Sequence, residues 1–319
     1  MEPSYSRVES RPRRLFLLLL PVYAVLDSLI PIAIYRGGIS AAPVLISLAV
    51  GVVFAQVGLL TIWVVLGPFG PWARWTAALA TSVVLCFSFY LGALIAFPYS
   101  RADQAFEVIA LAMLVPLLLL VVQIPLWIRR SISGWRIVPA GAAAARGAIG
   151  SRQFGVIHVL LLTTLVSVAL SLAKTAMPFL EPPVSRDSPV VGIYPHTWAD
   201  LGTLCVMVLL YNTVWMGPSL RFCFLTQDKK AGVAAMLALW FGVSVLVIAI
   251  MTVIATVSGA GATPQAVVTG IFVAFGATVV VLTASLHLLR VSGYTMIQAG
   301  TAGLFDRLVE VGGRRAAVG

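Results

Sequence analysis

One acidic residue stands inside an apolar stretch, and it is the side chain in this sequence best placed for chemistry. Asp27 lies in the run LFLLLLPVYAVLDSLIPIAIY, between Pro21 and Pro31. An ionisable group at bilayer depth costs about 2.5–3.5 kcal/mol on insertion scales, so it needs a compensating role. The pattern suggests a proton or cation site, or a hydrogen-bond anchor for a partner helix. The alternative is a short or tilted first span that leaves Asp27 at the outer boundary.

A stripe of hydroxyl residues is the second element of this candidate intramembrane polar site. Thr164, Ser167 and Ser171 recur at intervals of three and four, so they share one face of a helix. Small hydroxyl residues also let helices approach closely and bond across an interface. The stripe therefore indicates either a polar lining for a substrate path beside Asp27 or ordinary helix packing.

Lys174 and Asp200 form a candidate ion pair at the outer interface. Lys174 closes the helix that carries the hydroxyl stripe, and Asp200 opens the next predicted helix. Long basic side chains extend towards the membrane surface while their stems stay in apolar surroundings. We interpret this pair as structural, with no part in catalysis.

Motifs of catalysis and of nucleotide or metal binding are absent from the sequence. It contains no G-x-x-x-x-G-K-[ST] loop, no H-E-x-x-H, no G-x-S-x-G and no C-x-x-C. His158 and His287 lie at similar depth in two predicted spans, as haem ligands would, but no further ligand accompanies them. We predict no enzyme activity, no cofactor and no metal.

The overall composition shows in which solvent these residues must work. Of the 319 residues, 60% are hydrophobic and 10% are charged, and the mean hydropathy is +1.02. Soluble domains average about 45–50% apolar and about 25% charged residues, so a water-soluble monomer is excluded. The same values exclude intrinsic disorder. Three widely separated cysteines exclude a disulfide scaffold.

Eight apolar windows are long enough to cross a bilayer, since a spanning helix needs about 20 apolar residues. They cover residues 15–35, 41–66, 76–97, 106–128, 155–178, 198–216, 231–257 and 266–289. The predicted fold class is an all-α membrane protein, a bundle of about eight transmembrane helices. In the last window Gly270, Ala274 and Thr278 repeat at intervals of four and predict a face for close helix packing.

The distribution of basic residues predicts the orientation. If the N-terminus is inside, 17 of the 21 Lys and Arg residues fall on inside segments. Short loops rich in Lys and Arg stay in the cytoplasm, so both termini are predicted to be cytoplasmic. The excess of arginine over lysine fits a GC-rich bacterial genome, hence the inner membrane of a bacterium. The first window would also suit a signal peptide, but no A-x-A site follows it.

A basic cytoplasmic linker at residues 131–154 divides the chain into two four-helix halves, residues 1–130 and 155–290, with a cytoplasmic tail at 291–319. Residues 129–154 carry five arginines and no acid, so we expect them to meet anionic lipid and not nucleic acid. Within the linker, Trp135, Ile137 and Val138 are expected in the headgroup region.

The two halves share a weak pattern. The second helix of each half ends in Gly-Pro followed by an arginine, at Gly67-Pro68 with Arg74 and at Gly217-Pro218 with Arg221. A four-plus-four duplication would relate the halves by an axis along the membrane normal. The alternative is that Gly-Pro-Arg is common where helices end at the cytoplasmic face.

Two stretches carry a resemblance to other proteins: AQVGLLTIWVVLGPFGPWARW (55–75) and SRQFGVIHVLLLTTLVSVALSLAK (151–174). Their motifs are a Gly-Pro turn leading to Trp-x-Arg-Trp, and a Leu-rich span entered by Arg-Gln-Phe. They are similar to segments of uncharacterised predicted membrane proteins of planctomycete bacteria. The resemblance implies a multi-pass membrane protein and implies no activity.

Two function classes are compatible with these observations. The first is a non-catalytic membrane component, a scaffold, sensor or subunit whose partners are the lipid bilayer and other membrane subunits. The alternative is a small transporter or permease with a path between the two helical halves. A transporter predicts a polar cavity near mid-membrane lined by Asp27 and Ser167. A component predicts that these groups are buried in dry helix contacts.

Overall fold

The computed structural model describes residues 10–96, 101–139, 156–176, 198–226, 229–257 and 265–297. In these residues the chain forms helices α1 (Ser10–Leu66), α2 (Pro71–Ala96), α3 (Arg101–Ser133), α4 (Val156–Ala176), α5 (Trp198–Leu220), α6 (Lys229–Val257) and α7 (Gln265–Val291). A π-helical turn, Arg221–Leu225, continues α5. Two short strands complete the fold, β1 (Arg136–Pro139) and β2 (Tyr294–Ile297).

Helix α1 consists of two antiparallel arms joined by a sharp reversal at Gly38. This residue has φ +66° and ψ −179°, a conformation that glycine adopts without the steric cost of a side chain. The first arm is Leu18–Gly38 and the second arm is Ala41–Leu66. Asp27 on the first arm hydrogen-bonds to Gln56 on the second. In an unbroken helix they would lie about 44 Å apart, so the arms run back alongside each other.

Among the described residues, seven helical segments are long and apolar enough to cross a membrane, and each coincides with a predicted window. They are the two arms of α1, α2, Met113–Ser133 of α3, Leu201–Leu225, Lys230–Val253 and Val267–Val291. The remaining window, 155–178, is helical over the 21 residues of α4. Helix α2 begins at Pro71, five residues earlier than predicted, because proline is well suited to the first position of a helix.

The second arm of α1 lies at the centre of the bundle and packs closely against α7. The Thr278 hydroxyl donates to the Gly51 carbonyl oxygen over 2.8 Å. A Cβ atom on Gly51 would lie 2.3 Å from the Ala274 carbonyl oxygen, and one on Gly270 would lie 2.6 Å from Ser47 Oγ. The predicted packing face of Gly270, Ala274 and Thr278 is therefore confirmed.

The two strands pair with each other and cover one end of the bundle, which we call the strand end. They run antiparallel, with Ile137 opposite Met296. The expectation that Trp135, Ile137 and Val138 lie among lipid headgroups is wrong, since their exposed fractions are 5%, 1% and 3%. Pairing satisfies the strand backbone, which allows the strands to be buried. Trp135 and Ile137 pack into the main hydrophobic core, and Val138 is buried as well.

The strands also join the predicted linker to the predicted tail. Strand β1 belongs to the first of these segments and β2 to the second. The rest of the linker, residues 140–154, and the rest of the tail, residues 298–319, lie outside the described residues.

Candidate functional site

The candidate site is built around Asp27, which is 2% exposed. Gln56 Nε2 donates a hydrogen bond to Asp27 Oδ1 over 2.8 Å, and Gln56 is itself 5% exposed. Asp27 stands near the middle of the first arm, so the pair links the two arms well away from the reversal at Gly38. We call Asp27 and Gln56 the polar clasp.

Neighbouring residues tie the clasp to α2 and α7. Tyr23 precedes Asp27 by one helical turn, and its hydroxyl shares a hydrogen bond with Ser285 of α7. On the other side, a Cβ atom on Gly92 of α2 would lie 2.1 Å from the Ser28 carbonyl oxygen. The Cys86 thiol of α2 lies within electrostatic range of the Asp27 carboxylate. The clasp therefore sits where both arms, α2 and α7 meet.

This arrangement fits an anchor between helices. A buried carboxylate is costly unless a hydrogen-bond donor satisfies it, and the Gln56 amide supplies one such donor. At 2% exposure, water does not have open access to the Asp27 oxygens in this conformation. The chemistry that the geometry offers at Asp27 is a hydrogen bond that holds helices in register.

The hydroxyl stripe does not join Asp27 in the described structure. Thr164, Ser167 and Ser171 are all exposed on α4. The opposite side of α4 carries Ala169, Ala173 and Ala176, which are fully buried and pack in one cluster with Leu114 and Leu117 of α3. The small alanine side chains allow close contact with α3, and that contact turns the hydroxyl residues outward.

The other predicted site residues lie apart from the clasp. Lys174 is exposed in the last turn of α4, while the side chain of Asp200 is outside the described residues, so their ion pair stays a prediction. His287 is exposed on α7, and the side chain of His158 is likewise not described. Among the described side chains, no group of three or more His, Cys, Asp or Glu residues is arranged to hold a metal ion.

Arginines at the strand end form a second polar cluster. Arg74 is 4% exposed, and its Nη1 donates to the carbonyl oxygens of Val65, over 2.9 Å, and of Gly67, over 3.3 Å. Arg130 Nη1 also donates to the Val65 carbonyl oxygen, and its guanidinium group stacks 5.3 Å from the Trp127 ring centroid. Positive groups stabilise a helix C-terminus, so these arginines cap the end of the second arm.

The sequence contained a signal for this cluster, although its arginines were used there only to predict the orientation. Arg74 and Arg130 are two of the 17 basic residues on predicted inside segments. Arg74 follows the Leu66-Gly67-Pro68 sequence, where the second arm ends, and Arg130 packs against this end of the arm. Unpaired carbonyl groups at such an end need donors, and a nearby arginine is a suitable one.

Two of the cavities formed by described residues lie away from the clasp, and neither is lined by Asp27 or Ser167. One of about 60 Å³ lies between α2 and α3, lined by Leu79, Ser82, Val83, Cys86, Val115 and Pro116. The other is a groove of about 400 Å³ along α6, lined by Lys230, Val233, Ala234 and Leu237.

The chain matches no protein-family model, no curated protein and no solved structure. The resemblance of residues 55–75 and 151–174 to planctomycete membrane proteins therefore stays a prediction.

Proposed function

We propose that this protein is a non-catalytic membrane component, a scaffold, sensor or subunit whose spans are held in register by buried polar contacts. The burial of Asp27 carries this proposal. A transport site needs a carboxylate that water or substrate can reach, whereas an anchor needs one that a neighbouring helix occupies. Asp27 is 2% exposed and bonded to Gln56, which supports the anchor.

The outward face of α4 supports a role as a subunit. Thr164, Ser167 and Ser171 are exposed there, on the side away from the alanine contact with α3. Hydroxyl side chains on a lipid-facing helix surface favour association with another helix. We therefore place the contact with a partner membrane subunit on this face of α4.

We also propose that the bundle is a duplication of a four-span unit, with its two-fold axis along the membrane normal. The strands support this. Each lies just after the last span of its half, beside a shared Ser-Gly-aromatic motif, Ser133-Gly134-Trp135 or Ser292-Gly293-Tyr294, and both glycines have positive φ. Counted from these glycines, Ile137 and Met296 hold the same position, and they pair with each other. A two-fold rotation therefore maps the strand ladder onto itself.

Helix contacts agree with the same rotation, which exchanges α3 with α7. Helix α3 packs against α4 and α5, while α7 packs against the first and second arms of α1. These contacts correspond to each other. The two arms of α1 are the first two spans of the first half, and α4 and α5 are the first two spans of the second half. In addition, Arg130 caps the second arm in one half, and Arg290 Nη1 donates to the Cys223 carbonyl oxygen over 2.6 Å in the other.

The proposed location is a bacterial inner membrane with eight spans and both termini in the cytoplasm. The charge distribution supports it, and so does the grouping of Arg74, Arg130, Arg136 and Arg290 at the strand end. Reporter fusions test the orientation: a fluorescent protein fused after residue 140 should be active, and alkaline phosphatase fused after residue 188 should be active. Activity of one reporter at both sites would contradict it.

Water access to the clasp tests the proposed role without knowledge of a substrate. In a variant without the native cysteines, Asp27→Cys should resist a membrane-impermeant thiol reagent, while Arg36→Cys near the end of the first arm should react. Rapid labelling at position 27 would contradict the component and favour the transporter.

The central position of Asp27 in the first arm is the observation that keeps the transporter as a second candidate. After reconstitution into vesicles loaded with a pH-sensitive dye, the native protein and Asp27→Asn should show the same proton permeability. If a flux exists and is lost in Asp27→Asn, Asp27 is a transport site.

A further inference from the structure

Three arginines from separate elements converge at the strand end. Arg74 lies in the first turn of α2, Arg130 in the last turn of α3, and Arg136 at the start of β1. Arg130 and Arg136 are both close enough to Arg74 to repel it electrostatically, and Arg136 also repels Arg130. Arg74 is buried, while Arg130 and Arg136 are half-buried, so the cluster opens towards the surface through these two.

The described surroundings do not neutralise this charge. The C-terminus of the second arm faces Arg74 and Arg130 through the Val65 carbonyl oxygen, and a helix C-terminus offers about half a negative charge. Asp27 is the one acidic residue whose side chain is described, and it lies in the middle of the first arm. Within the part of the chain that the structure describes, three positive charges therefore meet a small fraction of their countercharge.

Arg74 also has unused hydrogen-bonding capacity. Its Nε atom is buried and has no hydrogen-bond partner among the described residues. Buried arginine is normally paired with an anion, because an uncompensated buried charge is strongly destabilising. In the same region the N-terminus of α2 adds its own positive end, and the first backbone N–H groups of a helix favour an anion.

We infer that Arg74, Arg130 and Arg136 form a binding site for a phosphate-bearing anion. Arg130 and Arg136 contact the anion from the open side, and Arg74 supplies fixed positive charge behind them. Guanidinium groups suit this ligand because their planar N–H pairs match phosphate oxygens. The phosphate is carried by a lipid headgroup at the membrane surface or by a soluble phosphate compound. The inference does not depend on whether the protein is a subunit or a transporter.

The test measures the melting temperature of the full-length protein in neutral detergent micelles. One arm adds phosphatidylglycerol, with phosphatidylcholine as the neutral lipid, and the other adds pyrophosphate, with sodium chloride at equal ionic strength. At a hundredfold excess over Kd, a ligand specific to the folded state should raise the melting temperature by about 5 °C. A rise with phosphatidylglycerol alone identifies a lipid headgroup, and a rise with pyrophosphate identifies a soluble anion.

The variants separate a built site from general electrostatic attraction. Arg130→Gln/Arg136→Gln should abolish the rise, and Arg136→Gln alone, which removes no hydrogen bond found in the described structure, should at least halve it. Arg221→Gln is the matched control, because it removes one exposed positive charge from the turn that continues α5 and should leave the rise unchanged.

Two results would overturn the inference. In the first, neither anion raises the melting temperature of the native protein. In the second, the double variant responds as the native protein does.

Discussion

Loss of Gln56 should destabilise the protein more than loss of any similar buried amide that bonds within its own helix. Gln56→Leu removes the hydrogen bond to Asp27 Oδ1 and leaves a carboxylate that is 2% exposed. Leaving a buried polar group without its hydrogen-bond partner costs about 1–3 kcal/mol, and more when that group is charged. Hydrogen bonds between membrane helices have been worth at most about 1.7 kcal/mol in double-mutant cycles. We expect a loss near 3 kcal/mol, because water does not reach Asp27 to replace the amide.

The double-mutant cycle isolates the clasp from simple changes in packing. Asp27→Leu/Gln56→Leu removes both polar groups, so the double variant should be more stable than the sum of the two single losses predicts. We expect a coupling energy of about 1.5–3 kcal/mol, the range for a hydrogen bond to a charged group. The assay is reversible unfolding in mixed detergent micelles, followed by far-ultraviolet circular dichroism.

Gln123 provides the matched control. It is 2% exposed, but its Nε2 donates to the Leu119 carbonyl oxygen one turn earlier in α3, and its Oε1 accepts from Trp127 Nε1 over 3.2 Å. Gln123→Leu therefore breaks contacts within one helix and should cost about 1 kcal/mol. If Gln56→Leu costs no more than this, or if the coupling energy is near zero, the clasp does not hold the arms together.

Two further predictions concern close contacts elsewhere in the bundle. Gly92→Ala should destabilise by about 1–3 kcal/mol, because its Cβ would lie 2.1 Å from the Ser28 carbonyl oxygen. Gly202→Ala is the control and should leave the free energy of unfolding unchanged, because a Cβ atom on Gly202 would meet nothing within 4 Å. Equal losses of stability for the two variants in chemical unfolding would refute the close contact between Gly92 and Ser28. In a variant without the native cysteines, Ile137→Cys/Met296→Cys should form a disulfide on mild oxidation, because antiparallel partners lie about 4.5–5.5 Å apart. Ile137→Cys/Tyr294→Cys is out of register and should cross-link much more slowly; similar rates on denaturing gels would show that β1 and β2 do not pair as described.

Composition and residue spacing were sufficient to predict the helices. Apolar runs of this length must satisfy their backbone groups internally in lipid, and helices do so without distant partners. The helix boundaries at Ala41–Leu66 and Gln265–Val291 lie within two residues of the predicted windows for this reason. The close-packing face at Gly270, Ala274 and Thr278 was also visible, because its period of four is a property of one helix.

The strands were missed although the sequence contains a signal for them. Ser133-Gly134-Trp135 and Ser292-Gly293-Tyr294 repeat a Ser-Gly-aromatic turn motif at the start of the two short strands. Each four-residue strand alone is too short to be recognised, since a strand of this length becomes stable only with a partner. The partner is about 160 residues away, so local patterns do not reveal it.

By itself the sequence determined that this chain is a helical membrane protein, about where along the chain its apolar helices lie, and which polar residues need a partner. The tertiary structure alone decided which partner each one has. Asp27 is bonded to Gln56 rather than placed beside Ser167, and Arg74 is buried against the end of the second arm rather than exposed at a loop. The physical reason is that helix formation depends on neighbours along the chain, whereas pairing of buried polar groups depends on how helices distant in sequence pack.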